Sequence, residues 1–213
     1  MKKIALIGST GSIGRQVVSV VLRYPERFRI VAAAANANAS LFAEQIARLR
    51  PAFAVLRRES AARALPPAPQ GTRLAAGEEA FEEACAFADA DIIFVAVSGF
   101  AGLKASLLAL GAGKDVALAN KESLVVGGDL VLKMAEEKGA KILPVDSEHS
   151  AIWQCLHFDR AAKYRRILLT ASGGALRDVP LNKLEKMTAK EALAHPNWDM
   201  GAKITVDCAT MLN

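Results

Sequence analysis

From its first residues the chain alternates between short continuous apolar runs and longer amphipathic stretches. The runs at 3–8, 28–35, 52–56, 91–97, 115–119 and 140–145 read as strands. The stretches at 13–23, 40–49, 78–87, 103–110 and 123–138 read as helices. Strands that are apolar on both faces, each followed by a helix, predict a parallel sheet covered on both sides. The Pro66-Pro67-Ala68-Pro69 run predicts a surface loop inside this unit. After Val145 the pattern changes. The run 164–172 reads as one more buried strand, but 173–202 is loop-rich, with Gly173-Gly174, Pro180 and His195-Pro196-Asn197-Trp198. Residues 207–213 read as the start of a new helix. The expected organisation is one domain over 1–145 and an incomplete second one over 146–213.

Composition narrows the class. With 213 residues, 52% apolar and 23% charged, the chain can bury a real core, and disorder is excluded. Lys and Arg number 27 against 22 Asp and Glu, a net charge of +5. The surplus is spread thinly, 18 basic to 14 acidic residues up to 145 and 9 to 8 beyond it. Arg57-Arg58 and Arg165-Arg166 are only pairs, so no basic patch for nucleic acid is expected. No apolar run approaches the roughly 18–20 residues a spanning helix needs, so no membrane partner is expected. Cys85, Cys155 and Cys208 form no CxxC pair, which points to a reduced compartment. The apolar stretch after Met1-Lys2-Lys3 stops within about five residues, too short for a secretory leader. The expected location is the cytoplasm.

Gly8-Ser9-Thr10-Gly11-Ser12-Ile13-Gly14 lies between the first strand and the first helix. Glycines there let the backbone approach a pyrophosphate, whose charge then meets the N–H groups of a helix N-terminus. The position at the head of an alternating chain makes this a dinucleotide-loop candidate and the fold Rossmann-like and doubly wound. The second strand ends in Ala35-Asn36-Ala37-Asn38, without the acidic residue that would bind a ribose 2′-hydroxyl and repel a 2′-phosphate. That permits NADP, though no Lys or Arg in the stretch is there to hold the phosphate.

Four further segments carry candidate chemistry, each beside a plainer reading. Asn120-Lys121-Glu122 follows a strand end, where Lys121 could set a cation beside substrate, or where Glu122 simply favours a helix start. In Asp146-Ser147-Glu148-His149-Ser150, an extended backbone would turn Asp146 and Glu148 to one face as ligands for a hard divalent cation. The alternative is a helix N-cap at Asp146 or Ser147, with Glu148 in the first turn and the helix running to Cys155; His149 reads as an ordinary helix residue. Thr170-Ala171-Ser172-Gly173-Gly174 could offer N–H groups to a phosphate or be a plain loop. The His195–Trp198 segment is either a lid or a surface loop with one anchoring indole.

Taken in order, GSTGSIG, LANKESLV, LPVDSEHSAI, LTASGG and HPNWDMGAKITVD strongly resemble the 1-deoxy-D-xylulose-5-phosphate reductoisomerase family over 1–213. The resemblance implies NADPH and a divalent metal (Mg2+, Mn2+ or Co2+) as cofactors, a sugar phosphate substrate, and a homodimer for the full-length protein. It implies an NADPH-binding domain followed by the start of an α+β catalytic domain. Thr10, Gly11, Ser12, Ile13, Asn36, Ala37, Asn38, Asn120 and Glu122 fall on cofactor-binding positions. Asp146 and Glu148 match two of three metal ligands and, with Lys121 and His195, the catalytic set. Lys121, Ser147, Glu148, Ser172, His195, Trp198, Cys208 and Asn213 match substrate-binding positions, Trp198 on the closing loop. The chain departs from the family at Cys208, where a serine is usual, and at Asn36-Ala37, where Gly-Lys is common. The family's third metal carboxylate and C-terminal helical domain lie past Asn213, so this 213-residue chain alone is expected to have little activity. Two other readings remain: a non-catalytic NADPH-binding module or degenerate paralogue, and an NAD(P)-dependent dehydrogenase of another small carbonyl substrate.

Overall fold

A computed structural model describes residues 1–157 and 161–210. By compactness the chain divides into Met1–Arg160 and Ala161–Asn213.

The first unit opens with β1 (Lys2–Ile7), α1 (Ser12–Arg23), β2 (Phe28–Ala35), α2 (Ala39–Leu49) and β3 (Phe53–Leu56). It continues with α3 (Glu59–Ala62), β4 (Arg73–Ala76), α4 (Glu78–Cys85), β5 (Ile92–Val95) and α5 (Ala101–Gly111). β6 (Asp115–Leu118), α6 (Glu122–Lys138), β7 (Ile142–Pro144) and α7 (Ser147–Cys155) complete it. All seven strands are parallel, in the order β4-β3-β2-β1-β5-β6-β7. Period-two alternation divides the core between the two faces of the sheet. Ile4 and Leu6 pack with Val18 and Val21 of α1 and Phe42 and Ile46 of α2. Ala5 and Ile7 pack with Phe81 of α4, Leu103 and Leu110 of α5 and Val131 of α6. The doubly wound α/β expectation is met, and the order reverses at β1, which opens a ligand crevice at the carboxyl ends of β1 and β5.

The expected strands and helices of this unit are present with ends moved by a few residues, and 66–69 is irregular as expected. β4 and α3 were not foreseen. β4 is an edge strand with one neighbour, half exposed and only four residues long, so it carries no continuous apolar signal.

In the second unit, a 3-10 turn (Leu181–Lys186), α8 (Ala189–Ala192) and α9 (Ala202–Ala209) are joined by irregular backbone. The expected strand over 164–172 is absent. Leu168 and Leu169 are 74% and 69% exposed, and no described residue of the unit offers them an edge to pair with. A strand is a product of pairing, so an apolar run without a partner stays irregular. The expected helix at 207–213 instead begins at Ala202, behind Gly201 at its N-cap. The β-branched run Ile204-Thr205-Val206 had concealed its first turn. Residues 211–213 lie outside the described residues.

Candidate functional site

The glycine loop is built by close approach. Gly8 has φ +96°, and a Cβ there would lie 2.7 Å from the Ala96 carbonyl carbon, just past β5. Its N–H and that of Ser9 donate to the Ala34 carbonyl at 2.8 and 3.0 Å, stitching the loop to β2. Gly14, buried in α1, lets the helix press onto the loop: a Cβ would overlap the Gly8 carbonyl oxygen and sit 2.7 Å from that of Ser9. No side chain caps α1 at Gly11 and no acidic residue occupies its first turn. The helix N-terminus is therefore left for an external anion, with half-buried Thr10 and Gly11 and exposed Ser12 and Ile13 around it. This cradle fits a dinucleotide pyrophosphate.

Gln45 supports the loop from α2. It is 5% exposed, and its Nε2 donates to the Ser9 carbonyl at 2.9 Å. Sequence reading missed it, although a polar residue on the stripe Phe42-Gln45-Ile46, at helical spacing, was the available signal. At the end of β2, Asn38 caps α2 by accepting from the Leu41 N–H at 3.2 Å. Asn36 is exposed and Ala37 half-buried beside it.

Asn120 is 1% exposed and works as a latch. Its Nδ2 donates to the Val97 and Gly99 carbonyls, both at 2.9 Å, and to Glu122 Oε2 at 3.1 Å. Its Oδ1 accepts from the Ser123 N–H at 2.9 Å and from the Ser123 hydroxyl. Gly102 makes room for it, since a Cβ there would overlap the amide. The β5–α5 loop and the start of α6 are thereby held together, with Lys121 between two anchored residues.

Lys121, Asp146 and Glu148 come together at the carboxyl edge of β6 and β7. The Val145 and Asp146 N–H groups donate to the Leu118 carbonyl at 2.9 and 3.3 Å, which brings the α7 start beside Lys121. Lys121 Nζ lies 3.3 Å from Asp146 Oδ2 and 3.9 Å from Glu148 Oε2. The carboxylates converge because Asp146 takes the N-cap position with extended backbone while Glu148 enters the first turn of α7. The helix reading of this segment is thus the observed one, yet the Asp146 side chain does not cap. It is 9% exposed, and its Oδ1 has no hydrogen bond among the described residues. His149 Nδ1 is 3.8 Å from that oxygen. A buried carboxylate oxygen without a donor, beside a second carboxylate, fits a hard divalent cation. Ser147, the first residue of α7, is half-buried. No cluster of three His, Cys, Asp or Glu suited to a metal occurs among the described residues.

In the second unit, Gly173 and Gly174 take left-handed backbone (φ +76° and +67°) right after Ser172. A Cβ on Gly174 would overlap the α9 backbone at Cys208 and Ala209. Cys208 is accordingly buried in α9. Ser172 Oγ accepts from the Gly174 N–H and lies 3.1 Å from His195 Nε2. His195 Nδ1 accepts from the Asn197 and Trp198 N–H groups, each at 3.1 Å. The neutral ring therefore carries its proton on Nε2 and donates to Ser172. Trp198 stacks on His195, ring centroids 4.9 Å apart, and stays 57% exposed. Arg177, unflagged in the sequence, reaches the Ser172 carbonyl at 3.3 Å. Asn213 lies outside the described residues.

A doubly wound sheet with an anion cradle at its switch point and an acidic pair at its carboxyl edge defines a Rossmann-like fold whose cradle fits a dinucleotide and whose acidic pair suits a divalent cation. Comparison with known proteins is more specific. Residues 4–128 match the family profile 1-deoxy-D-xylulose 5-phosphate reductoisomerase, and residues 142–213 match its C-terminal domain profile. The chain belongs to the 1-deoxy-D-xylulose 5-phosphate reductoisomerase family. It is 50% identical to the enzyme of that name from Pelotomaculum thermopropionicum over 100% of this chain and 56% of the relative. To that from Acaryochloris marina it is 48% identical, over 100% and 54%. A crystal structure of a reductoisomerase with NADPH, fosmidomycin and magnesium superposes with a TM-score of 0.90 at 36% identity, covering 100% of this chain and 55% of that one. The Zymomonas mobilis enzyme with NADPH gives 0.85 at 40% identity, covering 99% and 55%. The chain spans about half the length of the curated relatives it matches. No described helix is long and apolar enough to cross a membrane.

Proposed function

We propose that residues 1–145 are the NADPH-binding domain, and 146–213 the opening part of the catalytic domain, of an enzyme converting 1-deoxy-D-xylulose 5-phosphate to 2-C-methyl-D-erythritol 4-phosphate. The observation that carries this reading is the Lys121–Asp146–Glu148 cluster, whose Asp146 forgoes helix capping and keeps a buried oxygen without a donor. Relatives solved with NADPH and magnesium support the choice of cofactors. Homodimeric assembly belongs to the same reading and rests on the resemblance alone, while a cytoplasmic location rests on the reduced compartment that the cysteine pattern suggests.

In this reading the uncapped α1 N-terminus and the Gly8–Gly14 loop bind the pyrophosphate, the glycines allowing its oxygens to reach backbone N–H groups. Asn36, Ala37 and Asn38 line the adenosine side. Asn120 and Glu122 hold the α6 start in register, so the Lys121 ammonium is fixed where it can orient a substrate oxygen. Asp146 and Glu148 supply carboxylate oxygens to the cation, and Ser147 a hydroxyl to substrate. When bound, the nicotinamide supplies hydride, and the cation supplies the charge that steadies the developing oxyanion during rearrangement. Ser172 and His195 contact the substrate and its phosphate, aided by Asn213. A thiol at Cys208 donates more weakly than serine. Trp198 shields the reacting carbons from water.

Titration of the 213-residue chain with NADPH and, separately, with Mn2+ tests the reading. NADPH is expected to bind, and Asp146→Asn to abolish what Mn2+ binding the two carboxylates give while leaving NADPH affinity unchanged. With two carboxylates in place of three, turnover of 1-deoxy-D-xylulose 5-phosphate by this chain alone is expected to be near zero. A wild-type chain that ignores NADPH, or one with normal turnover, overturns the corresponding part.

A further inference from the structure

Recognition of the NADPH 2′-phosphate lacks an evident cation in the sequence, because the end of β2 offers only Asn36, Ala37 and Asn38. The fold supplies one from the neighbouring strand. β2 and β3 are parallel and in register to their last residues, Ala35 opposite Leu56. The pairing continues beyond both strands: Arg57 N–H donates to the Ala35 carbonyl and Arg58 N–H to the Asn36 carbonyl, each at 2.9 Å. Arg57 and Arg58 therefore leave the carboxyl edge of the sheet directly beside the segment that faces the adenosine ribose. Adjacent strands are about 4.8 Å apart, well within the reach of an arginine side chain.

The two arginines have separate fates. Arg57 is committed: its Nε and Nη2 meet Glu78 at 2.5 and 3.0 Å, and its guanidinium lies over the Phe81 ring at 4.6 Å. Arg58 is exposed, and among the described residues its side chain has no hydrogen bond or ion pair. The nearest acid in sequence, Glu59, forms no ion pair with it among the described residues, and its Oε1 lies 2.6 Å from where a Cβ on Gly77 would be. Asn36 is exposed beside Arg58. From this placement we infer that Arg58 is the specificity-determining residue for the 2′-phosphate, its guanidinium meeting the phosphate oxygens while Asn36 faces the same ribose. The inference rests on the cofactor reading above and adds to it the group that separates NADPH from NADH.

The test is the binding of NADPH and NADH to the 213-residue chain and its Arg58→Gln and Arg58→Lys variants, followed by nicotinamide fluorescence at low and high salt. The wild type is expected to prefer NADPH, the more so at low salt. Arg58→Gln should weaken NADPH about tenfold or more, the usual worth of a charge-assisted contact, and NADH less than twofold. Arg58→Lys should keep part of the preference, having charge but no bidentate fork. If the wild type binds NADPH and Arg58→Gln alters neither ligand, or both alike, the assignment to Arg58 is wrong while the cofactor reading stands. If the wild type binds neither nucleotide, the cofactor reading fails and the inference with it.

Discussion

At Gly14 an added methyl group has nowhere to go, since the Gly8 and Ser9 carbonyl oxygens already occupy the space, and both belong to backbone that is itself pinned to β2. Gly14→Ala must push α1 off the loop. The expected cost is about 1–3 kcal/mol in urea unfolding, as for other overpacked sites, together with weakened NADPH binding; an unchanged unfolding midpoint would contradict the packing argument. This residue was legible in the sequence because glycine spacing between a strand and a helix has few other uses. Gln45 and Asn120 were not legible as supports. Their work depends on which backbone carbonyls the tertiary fold brings within reach, and residues 36 and 23 positions apart meet only after the sheet has formed. Asp146 was half legible. Its helix-start position and its closeness to Glu148 were both foreseeable, but only the folded chain turns the carboxylate from its own helix toward Lys121.

Elements announced themselves where burial on both faces produced a continuous apolar run, as in Ala32–Ala35 within β2 or Ile92–Val95 in β5. They were hidden where half the residues face solvent, as in β4, or where pairing was needed and absent, as over 164–172. The α4 start shows how exposed charge still joins elements. Glu78, its first residue, takes Arg57 from the β3 end and Lys104 of α5, the latter at 2.6 Å and also 2.5 Å from Glu82. Hydrogen bonds first from Arg57 and then from Lys104 bring the Glu78 carboxyl down from 4.5 to about 2. Because the folded value is depressed, the stabilisation is fully present above pH 4.5 and is lost as pH falls from 4.5 toward 2. Glu78→Gln is expected to melt lower than wild type at pH 7, by no more than about 4 °C given the solvent exposure of the cluster. The difference should close as the pH is lowered through that window; a gap that persists at pH 2 would assign the loss to packing instead of charge.

At the scale of the whole chain the two compact units differ in what holds them. In Met1–Arg160 the core lines both faces of a seven-stranded sheet. Among the described residues of Ala161–Asn213, only Gly174, Thr205, Cys208 and Ala209 are buried, while Tyr164, Ile167, Leu168 and Leu169 are all at least 48% exposed. Burial of apolar area is the dominant favourable contribution to folding, so the second unit has little to set against the entropy of ordering its backbone. Local opening there should be frequent and should not require unfolding of the sheet. Limited trypsin digestion reads this directly. Lys163, Arg165 and Arg166 are exposed on irregular backbone, whereas Lys3 and Arg73 sit in strands. First cleavage is expected at 163–166, at a rate that barely changes when NADPH is added, because the cradle lies in the other unit. The fragment left behind should retain the thermal transition of the chain, since its core is untouched. First cuts within the sheet, or a fragment without a cooperative transition, would mean that the second unit contributes stability which its buried residues do not account for.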